Sequence, residues 1–180
     1  MREQLLAELE RYQPADPRER AMTERLREFV AAQPACFERS LTIGHVTGSA
    51  WVVDRALEAV VMTHHRKLGR WLQLGGHADG DGEIRRVALR EAREESGLQA
   101  IVPASEGIYD IDVHEIPARR DEPAHLHYDV RFAFFADRTG QPVPSDESHE
   151  VAWIALADLA RYGADDSVLR LCAKTPTLRA

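Results

Sequence analysis

Cysteine is scarce in this chain. Cys36 and Cys172 are the two present in 180 residues, at no spacing that a disulfide framework or a paired-cysteine metal site uses. No run approaches the ~20 apolar residues of a membrane span, and the polar start Met1-Arg2-Glu3-Gln4 lacks the apolar core of a secretory signal. Lysine and arginine number 23 against 30 acids, for a net charge of −7, and form no basic run interleaved with aromatics. A groove for nucleic-acid polymer is therefore disfavoured, and an anionic substrate has to be held by metal and a few local cations. Internal repeats and low-complexity tracts are absent as well. The positive side of the composition is 44% hydrophobic content, enough for one sizeable core. Together these features predict a soluble protein of the reducing cytoplasm, with no membrane partner.

Apolar spacing of three to four predicts helices over 3–12, through Leu5, Leu6 and Leu9, and over 16–32, through Met22, Leu26, Phe29 and Val30. Pro14 and Pro17 separate them and Pro34 closes the pair. From Ser40 the period becomes that of strands. Leu41–Val46 and Ala50–Val53 read as a hairpin about Thr47-Gly48-Ser49, followed by strands at 57–63 and 71–74 around a turn at 67–70. Further strands are expected at 99–102, 108–116, 126–136 and 151–154, with helices at 157–162 and 167–171. This order predicts an α/β protein, a mixed sheet with helices on its faces. The division is a helical extension over 1–38 and a main domain over 39–180.

The most informative stretch runs from Gly75 to Leu98, a glycine-rich loop feeding a helix. Glu91, Glu94 and Glu95 stand at i, i+3 and i+4 and so neighbour one another. They fall on the arc of Ile84, Val87, Ala88 and Leu98, while Arg85, Arg86, Arg90 and Arg93 take the remaining face. Three carboxylates turned toward a core or cleft repel one another and lose hydration unless a cation compensates. A hard cation, Mg²⁺ or Mn²⁺, bound through carboxylates with positions left for water and phosphate, meets that need. An ordinary charged helix with Arg–Glu ladder contacts is the plainer alternative, and it leaves the glycine loop unexplained. An EF-hand loop beginning at Asp79 fails, because its required sixth-position glycine falls on Ile84.

At these residues the chain resembles the Nudix hydrolase superfamily. That family's box reads Gly, five residues, Glu, seven residues, Arg-Glu, an apolar residue, any residue, Glu-Glu, any residue, Gly and an apolar residue. Gly76 matches the first glycine, and Arg90-Glu91-Ala92-Arg93-Glu94-Glu95-Ser96-Gly97-Leu98 matches the second half. The first Glu falls instead on Gly82, between Asp81 and Glu83, a departure that bears on loop architecture more than on chemistry. The resemblance implies an α/β/α sandwich with the N-terminal helices as an extension. It also implies cleavage of a diphosphate linkage, in a nucleoside diphosphate joined to another group. Glu91, Glu94 and Glu95 would hold the metal, with Glu94 also catalytic, and amides at Gly75 and Gly76 and the helix start at 83–85 would place phosphate. Arg90, off the acidic arc, is expected to orient Glu94 or the loop. The family often sets a further acid in a loop before a tryptophan, which here makes Glu147 the favoured general base, with Glu150 and His149 as alternatives.

His125, His127, Asp129 and Arg131 alternate on one face of a strand whose other face is Leu126, Tyr128, Val130 and Phe132. A half-solvated face, contacts to substrate, and a second metal site are all open for this set. His77, after the double glycine, either meets a phosphate oxygen or caps its loop. Two further classes compete with the hydrolase: a catalytically silent Nudix-type ligand sensor, and an isopentenyl-diphosphate-isomerase-like enzyme, which would need a cysteine near the site. The N-terminal helices are available to cover a sheet edge or the second copy of a homodimer.

Overall fold

The computed structural model describes residues 1–119, 123–146 and 148–179. Two helices, α1 (Arg2–Arg11) and α2 (Pro17–Ala32), open the chain. The second starts where Asp16 accepts a hydrogen bond from the Glu19 amide, with Pro17 in the first turn, where its missing N–H is no loss. Strands β1 (Gly44–Val53), β2 (Ala59–His65), β3 (Arg70–Leu72) and β4 (Leu74–His77) lead to α3 (Ile84–Ser96). Then follow β5 (Val102–Pro103), β6 (Asp110–Ile116), β7 (His125–Phe135), β8 (Ser148–Ala155), a 3-10 turn at Leu156–Tyr162 and α4 (Asp166–Lys174).

Among the described residues the strands form one eight-stranded mixed sheet. Its centre is the parallel pair β1–β7, from Gly44 opposite Leu126 to Val53 opposite Phe135. The other edge of β1 is shared by β4 and β2, and the other edge of β7 by β6 and β5, all antiparallel. One face carries Val46, Ala50, Val52, Val130, Phe132 and Phe134 and packs against α3 and the N-terminal helices. The opposite face carries Trp51, Val53, Ala133 and Phe135 under Leu159, Val168 and Leu171 of the C-terminal segment. Helices thus cover both faces, the α/β/α sandwich. Leu5, Leu9, Leu26 and Val30 of the first two helices lie in the same apolar cluster as the sheet and α3.

The hairpin expected about Thr47-Gly48-Ser49 does not form; 44–53 is one continuous strand. Gly48 lies in it because α3 crosses there, and a Cβ at that position would stand 3.0 Å from the Ile84 carbonyl oxygen and 3.2 Å from the Ala88 nitrogen. The real turn is at 54–58, where the Asp54 carboxylate accepts from the Glu58 and Ala59 amides and Leu57 takes a positive φ of 57°. The strand expected at 99–102 shrinks to Val102–Pro103. The strand at 71–74 divides between β3 and β4, since β3 pairs with β2 and β4 with β1.

Candidate active site

Helix α3 ends on Gly97, whose φ of 70° lets its amide reach the Arg93 carbonyl and turns Leu98 into the core. At its start Asp81 accepts from the Glu83 amide at 2.9 Å and pairs with Arg86 at 2.7 Å. Gly82 is buried, and a Cβ there would meet Met1 at 2.5 Å and Phe37 at 2.9 Å. The N-terminal segment therefore occupies the room a larger residue would need, and Asp81 supplies the carboxylate that ties loop to helix. The same packing places the helix start at 83–85 beside Gln4, Leu5 and Glu8 of α1.

The three glutamates have three different surroundings. Glu95 is buried, and its Oε2 accepts the Gly75 amide of β4 at 3.0 Å. Glu91 is half-buried over Gly76, where an added Cβ would stand 2.4 Å from its Oε2, so the first glycine of the box makes room for this carboxylate. Glu94 is exposed. Burial pushes the Glu91 carboxyl above its ordinary range, the Arg90 hydrogen bond and charge oppose this, and the charge of Glu94 adds to the rise. Arg90 donates to Glu91 at 2.7 Å and to the His77 carbonyl at 3.1 Å. It thus bridges the loop and the helix, and the carboxylate it bonds is Glu91 rather than Glu94.

On the sheet face opposite α3, strand register gathers a polar floor. Asp129 accepts from Thr47 at 3.0 Å, from Ser49 at 2.8 Å and from Arg131 at 2.8 Å. Arg131 is buried and also paired with Asp110 at 3.2 Å and Asp112 at 3.5 Å. Arg170 and Lys174 of α4 complete this network on Asp110, both at 2.8 Å, and Lys174 also reaches Glu19 of α2. Burial would raise the Asp110 carboxyl, but the Arg170 hydrogen bond and the charges of Arg131 and Lys174 hold it below its ordinary value. The sequence reading missed Asp110, Asp112, Glu19 and Arg170. The visible signal was two acids in alternation on β6, and their facing cations come from remote elements.

Next to this network His45 lies opposite His127 across β1 and β7, His114 lies opposite His127 across β6, and His77 lies opposite Thr47 across β4. His77 and His127 are thus brought together with His45, which the sequence did not single out. Among the candidate bases, Glu147 lies outside the described residues. Glu150 is exposed and opposite His64 on β8, and the His149 ring is 5.4 Å from that of His64. Cys36 is buried in the α3-side core, and Cys172 Sγ lies 3.9 Å from the Leu156 carbonyl oxygen. Neither is the site cysteine an isomerase would need.

Comparison with known proteins agrees with this arrangement. The NUDIX domain family profile matches residues 45–172. This chain belongs to the NUDIX domain family. A curated relative, the uncharacterized Nudix hydrolase YvcI of Bacillus subtilis, is 26% identical over 103 residues, 57% of this chain and 61% of that protein. The chain thus spans under two thirds of the curated relative it matches. Among solved structures, the Nudix hydrolase RenU of M. smegmatis superposes with a TM-score of 0.55 at 20% identity, covering 76% of this chain and 89% of that one. The NUDIX domain of Shewanella oneidensis NrtR, solved with ADP ribose, gives 0.53 at 17% identity over 83% and 96%. These likenesses establish the fold. No helix among the described residues is long and apolar enough to cross a membrane.

Proposed function

We propose that the protein is a metal-dependent pyrophosphohydrolase that cleaves the diphosphate linkage of a nucleoside diphosphate joined to another group, acting on a small molecule in the cytoplasm. The observation that carries this reading is the placing of Glu91 and Glu95 against the two glycines that end β4, with Glu94 exposed beside them. The donor set fits Mg²⁺ or Mn²⁺. It is all carboxylate oxygen, and Glu91 is a partly buried acid whose charge one arginine only partly offsets. Glu91, Glu94 and Glu95 would hold the ion, which when bound neutralises diphosphate charge and lowers the pKa of a coordinated water.

The chain's own residues supply the positioning. Arg90 fixes Glu91 and the His77 carbonyl together, so the carboxylate and the loop move as one unit. The Gly75 amide holds Glu95, and the amide of Gly76, beside Glu91, is available to substrate, whereas His77 and His127 lie on the other face of the sheet. Asp129 and Arg131 are buried and bonded to each other on that same far face, and so are not free to bind phosphate. Glu147 is the favoured base by its loop position, ahead of Glu150 and His149. The ADP ribose held by the Shewanella domain is a compound of the proposed class.

The test is a screen of purified protein with Mg²⁺ or Mn²⁺ against ADP-ribose, nucleotide sugars, dinucleoside polyphosphates, NADH, coenzyme A and nucleoside triphosphates. One class should be hydrolysed. Glu94→Gln should then cost at least ~10²-fold in kcat, roughly 2.7 kcal/mol, with an unchanged circular-dichroism spectrum. Full activity of that variant, or of the native enzyme in excess chelator, would overturn the proposal.

A further inference from the structure

The geometry points to a second metal site, built by His45, His77 and His127 for a borderline transition cation of the Zn²⁺ class, on the sheet face opposite the glutamates of α3. It does not rest on the hydrolase reading.

Three strands deliver these side chains to one place. His45 and His127 are direct partners across the parallel β1–β7 pair, and His77 faces the next same-side position of β1, Thr47. Their ring centroids form a near-equilateral triangle, 5.1 Å from His45 to His77, 4.9 Å from His45 to His127 and 5.2 Å from His77 to His127. One ligand nitrogen from each lies within 4.8 Å of the others, and among the described residues no second group of three potential ligands meets that condition. A tetrahedral ion with metal–nitrogen bonds of about 2.0–2.1 Å needs its ligand atoms ~3.3 Å apart, so small side-chain rotations close the site.

Burial is the second, independent observation. His45 is 1% exposed, and neither of its ring nitrogens has a hydrogen-bond partner; the buried Nε2 atoms of His127 and His125 also lack one. A buried polar atom without a partner costs about 1–3 kcal/mol, and several side by side call for a ligand that satisfies them together. A cation does this for His45 and His127 together. A hydrogen-bonded role would instead leave each ring facing a carboxylate or carbonyl, as His114 faces Asp112 at 3.0 Å and His125 faces the Pro123 carbonyl at 2.9 Å.

The donor chemistry separates this site from the acidic one. Imidazole nitrogens suit Zn²⁺, Co²⁺, Ni²⁺ or Cu²⁺, whereas Mg²⁺ prefers carboxylate oxygen and water. Three protein ligands leave a coordination position for water or an anionic oxygen. His77 and His127 are only half-buried, which gives the ion an approach.

The test is direct metal binding by the whole protein after chelator treatment and desalting. With Zn²⁺ alone as probe, one equivalent should be retained per chain, raise the melting temperature, and resist displacement by millimolar Mg²⁺. Co²⁺ should give the visible absorption of a low-coordinate nitrogen site. His45→Gln and His127→Gln, compared with native protein by far-UV spectrum and cooperative melting in chelator, should each weaken Zn²⁺ binding at least ~100-fold. The triple variant Glu91→Gln, Glu94→Gln, Glu95→Gln should keep the equivalent. Failure of native protein to retain Zn²⁺ would overturn the site. So would Zn²⁺ that survives both histidine variants and is lost with the glutamates. If neither histidine variant folds, a Co²⁺ spectrum from native protein that matches the free aqua ion overturns it too.

Discussion

At the residue scale, the box makes sense as a set of exclusions as much as a set of ligands. Gly76 has no side chain because Glu91 occupies that volume, and Gly82 has none because Met1 and Phe37 occupy it. The two glycines answer to different neighbours, one a carboxylate proposed to hold metal and one part of the N-terminal packing. Gly76→Ala should therefore displace the Glu91 carboxylate from its seat while leaving the core intact. The expected outcome is a fall of at least ~10-fold in kcat/KM, about 1.4 kcal/mol, with a melting temperature close to native. Steady-state kinetics beside a thermal melt checks both halves, and unchanged kinetics would show that Glu91 works from another position. Arg90 belongs to the same unit. Helical angles put its Cα off the acidic arc, but its long side chain swings round to the carboxylate of the adjacent Glu91 and to the His77 carbonyl. Angular position on a helix says where a side chain leaves the backbone, not where a flexible cation ends.

At the scale of elements, α3 shows which features a sequence carries locally and which it does not. Its span was legible from the periodicity of Ile84, Val87, Ala88 and Ala92 and from Gly97 at its end, because both are properties of neighbouring residues. The reading of β1 as a hairpin failed for the opposite reason. Gly48 between two polar residues has the composition of a turn, but what demands a glycine there is the backbone of a helix nearly forty residues later in the chain. The histidine triad has the same character. The alternation of His125 and His127 on β7 is visible in sequence, but His45 and His77 join them only through the register of two other strands. The start of α3 gives a prediction at this scale. Asp81 both closes the turn onto the Glu83 amide and pairs with Arg86, whereas Glu83 caps nothing with its side chain. Asp81→Ala should lower the melting temperature by about 2–4 °C, the equivalent of about 1 kcal/mol in a chain of this size, and Glu83→Ala should lower it less. Neither should alter metal binding. A titration in which Asp81→Ala abolishes Mg²⁺ or Mn²⁺ binding would make that loop acid a ligand instead.

At the scale of the whole molecule, the sheet separates two kinds of interior. The α3 side is apolar and continuous with α1 and α2, and the far side passes from Trp51 and Phe135 through the Asp110–Arg131 network to the histidines. The network also ties the chain's beginning to its end, since Lys174 of α4 bonds both Asp110 of β6 and Glu19 of α2. A recess of about 780 Å³ beside Arg11, Tyr12, Tyr109 and Lys174 borders this junction and not the box. Stability should therefore depend on acid in a defined direction. Asp110 and Asp112 are held below their ordinary value of 3.8. Burial alone would raise them; Arg170 and Arg131 together with Lys174 outweigh it at Asp110, and His114, Arg131 and Arg170 at Asp112. A folded-state value below the unfolded one means stabilisation that is complete above the unfolded value and is lost as pH falls toward the folded one. Denaturant unfolding from about pH 5 down to about pH 3 should show this loss. Lys174→Met removes one cation from Asp110 and leaves Glu19 short of its partner, and should cost about 3–5 kcal/mol at neutral pH, as removing one member of a buried pair does. Because that variant depresses Asp110 less, its stability should fall less steeply with acid, and the gap to native protein should narrow as pH drops. A gap that stays constant across the range would mean that Lys174 acts by packing alone and that its charge does no work on Asp110.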